Sequence, residues 1–313
     1  MANEFRTLDS HSAEYFGDTR DHWWNLDFLE LIGRRLSLDR VQDLLDVGCG
    51  VGHWGQLLAN IIPGGARLCG VDRDPRWVEK AAARATARGL AGRSVYQVAL
   101  AEKLPFADAS FDLVTCQTLL IHTPDPGAVV DEMIRVARPG GLILVTEPNN
   151  IARALVFDSI SFDDPVDDVL ARVRLQLTCE RGKAALGEGN NSIGDLVPGL
   201  FAERKLVDIN VYLNDRTDIM LPPYDSAAQR AVLDEQGDFK QRDFWIWSRD
   251  DTRRYFLAGG GAEREFDALW LTATSGGDRF NKAIAARTYA GTGASIGYLV
   301  AGRTQASDGA RRP

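Results

Sequence analysis

This sequence is first narrowed by what it lacks. In 313 residues it has only four cysteines and four histidines. Cys49, Cys69, Cys116 and Cys179 lie far apart and form no C-x-x-C pair, so they read as small core residues in a reducing compartment rather than as disulfides. His11, His22, His53 and His122 form no H-E-x-x-H pattern, and no metal site is expected. No apolar run approaches the roughly 20 residues needed to span a bilayer. The opening MANEFRTLDS has neither a basic nor an apolar leader region, so no secretory signal is expected and the expected location is cytoplasmic. Positive charge is also scarce. Lys and Arg number 36 against 44 Asp and Glu, a net charge of −8, and there is no dense basic block; Arg311 and Arg312 read as a frayed tail. A nucleic-acid partner is therefore not expected, and a small-molecule partner is.

What is present is an alternation of strand and helix signals from residue 41 onward, the mark of an α/β fold. VQDLLDV predicts a first strand, and Trp54 to Ile62 a helix closed by Pro63-Gly64-Gly65. Residues 66–72 predict a second strand, and Asp74-Pro75 caps a helix over 76–88. Strands are predicted over 94–100, 111–117 and 142–148, with a helix over 127–137 stopped by Pro139-Gly140-Gly141. Beyond Asn150 the pattern turns helical over 151–203 and again over 222–287, broken by strands at 206–215 and 295–303. The second helical stretch is rich in aromatic residues, among them Tyr224, Trp245, Trp247, Tyr255, Phe256 and Trp270.

The chain is organised around Leu44–Gly55, LLDVGCGVGHWG. A short buried strand ends in Asp46; Gly48, Gly50 and Gly52 follow, and then a helix. Such a turn lets backbone approach a ligand closely and offers it the free N–H groups of a helix start. Gly50-x-Gly52-x-x-Gly55 with Asp72 following matches the dinucleotide fingerprint, which keeps a nicotinamide-dependent oxidoreductase open. Asp46 before the glycines, where a nicotinamide site continues an apolar strand, points away from it.

Four stretches taken together, LLDVGCGVG (44–52), GVDRDP (70–75), AEKLPFADASFDLVTCQTLLIH (101–122) and VARPGGLILVTEPN (136–149), resemble the class I S-adenosylmethionine-dependent methyltransferases, particularly their small-molecule branch. The resemblance covers roughly residues 15–150. It implies a Rossmann-like, seven-stranded, mostly parallel sheet with helices on both faces and an antiparallel last strand. Helical insertions would follow strand 5 and separate strands 6 and 7. Residues 1–40 would form an N-terminal helical lid and 41–150 the cofactor-binding core. Residues 151–303 would supply the insertions and the terminal strand hairpin, and 304–313 a disordered tail.

The resemblance also implies S-adenosyl-L-methionine as cofactor and assigns residues to it. Asp46 would hold the methionine amino group. Gly48, Gly50 and Gly52 would let the backbone pass close, with Cys49 contributing backbone. Asp72 would accept from both ribose hydroxyls, a task suited to an acceptor-only carboxylate. Arg73 would flank the adenine, and Ala101 and Glu102 would recognise it. The chain departs from the family at Leu100, where an Asp often reads the adenine amino group. Gln117 and Thr118 would line the methionine end and the mouth of the substrate pocket.

The implied activity is methyl transfer to a small-molecule acceptor by in-line displacement. The alternative is a methyltransferase-like protein acting on a protein or RNA. A general base is needed only if the acceptor must lose a proton. His122 is the nearest candidate by position, and Glu147, Tyr224 and Tyr298 are weaker ones; no catalytic residue is assigned. Tyr15, Trp23 or Trp24 of the lid would cover the site, or pack as an ordinary helix on the sheet. The insertion's aromatics would wall the acceptor pocket if they are not simply core.

Overall fold

A run such as Asp43–Val47, with apolar residues on both sides of the pleat, is stable only where both faces are covered, and all five of its residues are buried. The computed structural model describes residues 18–241, 244–293 and 296–306. In chain order the elements are α1 (Leu26–Leu36), β1 (Asp43–Val47), α2 (His53–Leu58), β2 (Arg67–Asp72), α3 (Pro75–Ala87), β3 (Ser94–Val98) and β4 (Phe111–Gln117). Then come α4 (Pro126–Val136), β5 (Ala137–Asn149), α5 (Val166–Ala185), α6 (Val197–Glu203) and β6 (Val207–Leu213). The chain ends through α7 (Ala227–Gln241), α8 (Arg249–Ala258), α9 (Glu263–Thr274), α10 (Gly276–Ala285) and β7 (Ile296–Arg303).

The strands form one seven-stranded sheet in the order β3-β2-β1-β4-β5-β7-β6. Neighbours among β1 to β5 are parallel, and β7 runs antiparallel to both β5 and β6. This is the expected topology, including the antiparallel last strand and the insertions on either side of β6. Helix starts follow the capping signals. Asp74 accepts from the Arg76 N–H at 2.9 Å with Pro75 at the first helical position, and Asp125 accepts from Ala128 at 3.0 Å.

Helices cover both faces. On one face α1 and α2 bury Leu29, Ile32, Trp54 and Leu58 against Leu44, Leu113, Leu144 and Leu299. On the other, α4 and α6 bury Val129, Met133, Val197 and Phe201 against Leu45, Val114, Ile143 and Val145. Each wholly buried aliphatic side chain contributes about 2 kcal/mol of transfer free energy, so the sheet is the rigid base of the molecule.

Several boundaries differ from the sequence expectation. β3 ends at Val98, and Leu100 instead makes an isolated bridge to Lys103. The helix after the glycine turn stops at Leu58. Pro139-Gly140-Gly141 does not separate helix from strand: β5 already starts at Ala137, paired with Phe111, and the register slips before Leu142 pairs with Leu113. Gly141 fits this slip because a Cβ there would stand 2.7 Å from the Arg138 carbonyl oxygen. Thr304, expected to open the tail, is buried and tied to Gly141 and Arg138 at 3.0 and 2.6 Å. Residues 307–313 and Tyr15 lie outside the described residues.

The insertions form two small cores of their own. Leu175 and Cys179 of α5 meet Tyr255, Phe256, Phe266 and Trp270. Met220, Tyr224, Ala283 and Tyr289 make the second. The first sits over the C-terminal edge of the parallel strands. Gln176 Nε2 donates to the Asn150 carbonyl at 2.9 Å and Lys183 Nζ to that of Ile121 at 2.6 Å, both acceptors lying just beyond β5 and β4.

Candidate cofactor site

The loops that follow β3, β2, β1 and β4 are neighbours along one edge because the strands are neighbours in that order. The residues singled out in the sequence therefore come together there: Ala101 and Glu102 beyond β3, Arg73 after β2, the glycine turn after β1, and Gln117 and Thr118 at the end of β4. Arg73 and Glu102 are exposed, whereas Ala101, Gln117 and Thr118 are half-buried.

Two buried carboxylates shape the glycine turn. Asp46 Oδ2 accepts from the Gly55 N–H at 2.9 Å, fixing the start of α2 against the end of β1. Gly55 has a reason of its own, independent of any dinucleotide: a Cβ there would stand 2.8 Å from that same oxygen. Asp72 Oδ2 accepts from the Gly50 N–H at 2.9 Å, and its Oδ1 from the Asp74 N–H at 3.0 Å. The Cys49 N–H donates to the Val71 carbonyl at 2.9 Å, so the turn is stitched to the end of β2 by backbone as well. Gly48 has φ +66°, and a Cβ on it would lie 2.6 Å from Leu119 Cδ1, so the residue after Thr118 is seated in a notch only glycine leaves open. Thr118 itself takes φ +51° and donates its N–H to the Thr146 carbonyl at 2.9 Å.

The electrostatics of the turn are set by burial of these two carboxylates. Asp46 is 1% exposed, and among the described residues its Oδ1 has no hydrogen-bond partner. Burial pushes its carboxyl up to about 7; the Gly55 N–H works against this, and the nearby Asp72 adds to it. A buried carboxylate oxygen left without a donor is costly unless a ligand supplies one. An ammonium group would satisfy it. Asp72 keeps free lone pairs on both oxygens, since each accepts a single backbone N–H, and two vicinal hydroxyls would occupy them. The chemistry of these two carboxylates, an acceptor for an ammonium and an acceptor pair for hydroxyls, fits S-adenosylmethionine.

The N-terminal segment reaches this turn from outside. Asp21, on a 3-10 turn over Asp18–His22, meets His53 Nδ1 at 2.8 Å and also pairs with Arg84 and Arg88 of the neighbouring helix region. Burial opposes its ionisation, but the hydrogen bond to His53 and the two guanidinium charges outweigh it, and its carboxyl falls to about 2. Trp24 does not lie over the turn as a lid: it is buried, with its ring 5.2 Å from that of Trp54. The Trp54 indole N–H in turn donates to Thr115 at 2.7 Å.

His122 ends a 3-10 turn over Leu120–His122 and is exposed. Tyr224 is buried and donates to the Tyr289 carbonyl at 2.9 Å, while Tyr298 interacts with Asp195. Glu147 is 1% exposed at the end of β5, its Oε1 accepting from the N–H groups of Leu119 and Leu120 at 2.8 and 2.7 Å. These bonds make it a clasp on the loop after β4. Among the described residues no group of three His, Cys, Asp or Glu side chains could hold a metal ion, and no helix is long and apolar enough to cross a membrane.

Sequence reasoning missed Lys183 and the Asp21–His53 contact. Their partners lie 62 and 32 residues away, and no local spacing signals either. Of the two readings of the insertion aromatics, core and pocket wall, the core one holds for those in the first small core. Tyr255, Phe256, Phe266 and Trp270 fill their own core, whereas the cavity of about 340 Å³ beyond β6 is lined by Asn25, Arg216, Asp218, Met220, Gln229 and Val232 among others, with no aromatic side chain.

Residues 45–145, the same strands and turn, match a protein-family model described as a methyltransferase domain. A ubiquinone biosynthesis O-methyltransferase of Paracidovorax citrulli is 32% identical over 170 residues, covering 50% of this chain and 69% of that protein. Tocopherol O-methyltransferase of Arabidopsis thaliana is 38% identical over 106 residues, 34% of this chain and 30% of that one. Methyltransferase GfsG of Streptomyces halstedii is 37% identical over 118 residues, 38% and 42% of the two chains. The chain therefore spans less than half the length of the latter two relatives. With the sheet order, the glycine turn between its two carboxylates and these matches in agreement, the chain belongs to the class I S-adenosylmethionine-dependent methyltransferases.

Proposed function

We propose that this protein transfers the methyl group of S-adenosylmethionine to a small-molecule acceptor. The observation that carries this reading is the pair of buried carboxylates bracketing the glycine turn, one with an oxygen still lacking a donor. The cofactor supplies an activated methyl group on a sulfonium. The chain's own task is orientation and the exclusion of water. Gly48 and Gly50 allow close backbone approach, Asp72 fixes the ribose, Asp46 the amino group, and Gln117 and Thr118 form the wall toward the acceptor. The insertion, docked over the C-terminal edge through Gln176 and Lys183, closes the site from above.

A small acceptor is favoured by the relatives' names, which speak of tocopherol and of ubiquinone biosynthesis. The net charge of −8 and the absence of a basic block favour it over RNA. Calorimetric titration with S-adenosylmethionine, S-adenosylhomocysteine and NAD tests the cofactor; heat with NAD alone overturns the reading. Incubation with methyl-labelled cofactor and a metabolite extract tests the acceptor. The expected result is label in small molecules, and label confined to macromolecules would move the assignment to a protein or RNA substrate.

A further inference from the structure

Leu119, Leu120 and Ile121 form a short bend between β4 and α4, and it is gripped from three sides. From below, Glu147 accepts the Leu119 and Leu120 N–H groups at 2.8 and 2.7 Å, with the Ile121 N–H also directed at its carboxylate. From the insertion, Lys183 Nζ donates to the Ile121 carbonyl at 2.6 Å. Beside it, Gly189 lies so close that a Cβ would stand 2.3 Å from that carbonyl oxygen. From the cofactor side, Leu119 fills the notch at Gly48.

Glu147 and Lys183 are 1% and 3% exposed, and among the described residues their hydrogen bonds run to the bend rather than to each other. Each instead finds its partner in the bend, whose N–H groups face the carboxylate and whose carbonyl faces the ammonium. A buried polar group is tolerated only when hydrogen-bond partners satisfy it, so the bend is held at both ends of its peptide dipoles. Moving it would strip the Glu147 carboxyl oxygen of its two N–H donors and Lys183 Nζ of its carbonyl acceptor at once, leaving the ammonium only the charges of Glu180, Glu188 and Glu147 around it. It would also withdraw Leu119 from Gly48 and shift Thr118, which begins the wall at the methionine end.

Resting on the cofactor reading above, we propose that Glu147 and Lys183 are positioning residues that set the methionine end of the cofactor site through the Leu119–Ile121 bend, so that α5 of the insertion and the cofactor stabilise each other. The coupling is reciprocal: if α5 improves cofactor binding, the cofactor must stabilise α5 by the same factor.

The test uses the full chain and S-adenosylhomocysteine as probe. In the wild-type protein the probe is expected to slow amide hydrogen exchange at 119–121 and also at 176–185, which would not touch it. Lys183→Met is expected to weaken binding about tenfold, within the usual range of such couplings, and to abolish the response of 176–185. Glu147→Ala should weaken binding similarly, while Glu147→Gln, which keeps an acceptor oxygen for the two N–H groups, should restore most of it. Arg174→Met, on the same helix but paired outward with Glu265, should bind as wild type. Unchanged exchange at 176–185 on probe binding would overturn the proposal even if no variant folds, as would a folded Lys183→Met protein with wild-type affinity. If the wild-type protein does not bind the probe at all, the cofactor reading fails instead.

Discussion

The glycine turn and the helical insertion solve opposite problems within one chain. The turn works with backbone atoms: its N–H groups are fixed by Asp46 and Asp72, and its side chains are mostly absent so that a ligand can come close. The insertion works with side-chain bulk. Tyr255, Phe256, Phe266 and Trp270 build a core together with Leu175 and Cys179 of α5. Among the described residues the first arrangement leaves one buried oxygen, Asp46 Oδ1, without a donor, whereas the second is a packed apolar core. The difference teaches that aromatic abundance marked the part that stands over the site, and acidic residues beside glycines marked the site.

That contrast breaks most sharply at Gly182. α5 crosses α8 there so closely that a Cβ would stand 1.7 Å from the Tyr255 carbonyl oxygen, and Gly259 reciprocates at 2.0 Å from that of Thr178. Gly182→Ala forces the helices apart and opens the aromatic core. The expected loss is about 3 kcal/mol of stability in urea unfolding, the upper part of the range for overpacked cores. An unchanged midpoint would mean that the insertion core contributes little.

Asp72→Ala attacks the other side of the comparison. It removes the acceptor for the cofactor's hydroxyls and the partner of the Gly50 N–H together. Cofactor affinity should fall by roughly 1–3 kcal/mol in calorimetry, with a smaller change in stability, because the fold keeps its aromatic and sheet cores. Unchanged affinity in a folded protein would remove Asp72 from the site.

The two regions meet at Glu147 and Lys183, and there the comparison becomes one of pH. Burial pushes Glu147 up to about 8 from 4.5, against the Leu120, Leu119 and Ile121 N–H groups and the Lys183 charge. Between those values the folded protein holds a proton that the unfolded chain has released. Stability from this group is therefore full below about 4.5 and is lost as pH rises toward 8. Asp46 acts in the same direction from 3.8 to about 7. Lys183, lowered by burial from 10.5 to about 8 against the charges of Glu180, Glu188 and Glu147, acts above that window: stability recovers as pH rises from about 8 toward 10.5. Glu147→Gln should flatten the fall in Tm between pH 5 and 8 relative to wild type; an equal slope in both proteins would show that Glu147 does not titrate in this window.

These differences also explain what could be read from the sequence. β1, β2 and β4 were legible as short apolar runs and β6 by its alternation, and the helix starts by their capping acids, as at Asp74-Pro75. Asp46 and Asp72 were legible because they sit at strand ends beside the turn they hold. Lys183 was not, because its acceptor is a backbone carbonyl in another element, and backbone groups have no sequence signature. Glu147 stood out as a possible base, but only the placement of Leu119 and Leu120 reveals that its oxygen is committed to their N–H groups. The slip inside β5 was illegible for a related reason: Pro139-Gly140-Gly141 reads as a stop, and only pairing with β4 turns it into an irregular strand.

His122 offers the smallest expected effect. It lies at the seam of the two regions, one residue after the carbonyl that Lys183 holds, and its side chain is exposed. An imidazole serving as general base contributes about 10²–10⁴-fold to rate and must reach a proton inside a site closed to water. The neighbouring grip on Ile121 is made through backbone, and the His122 side chain beside it is exposed. His122→Asn should therefore leave cofactor affinity and stability within about 0.5 kcal/mol of wild type, as is usual at exposed positions. Label transfer from S-adenosylmethionine into a metabolite extract should change by less than about threefold, correspondingly. A hundredfold loss of transfer with unchanged cofactor binding would instead place His122 at the acceptor, and would extend the site from the glycine turn across the bend into the insertion's side.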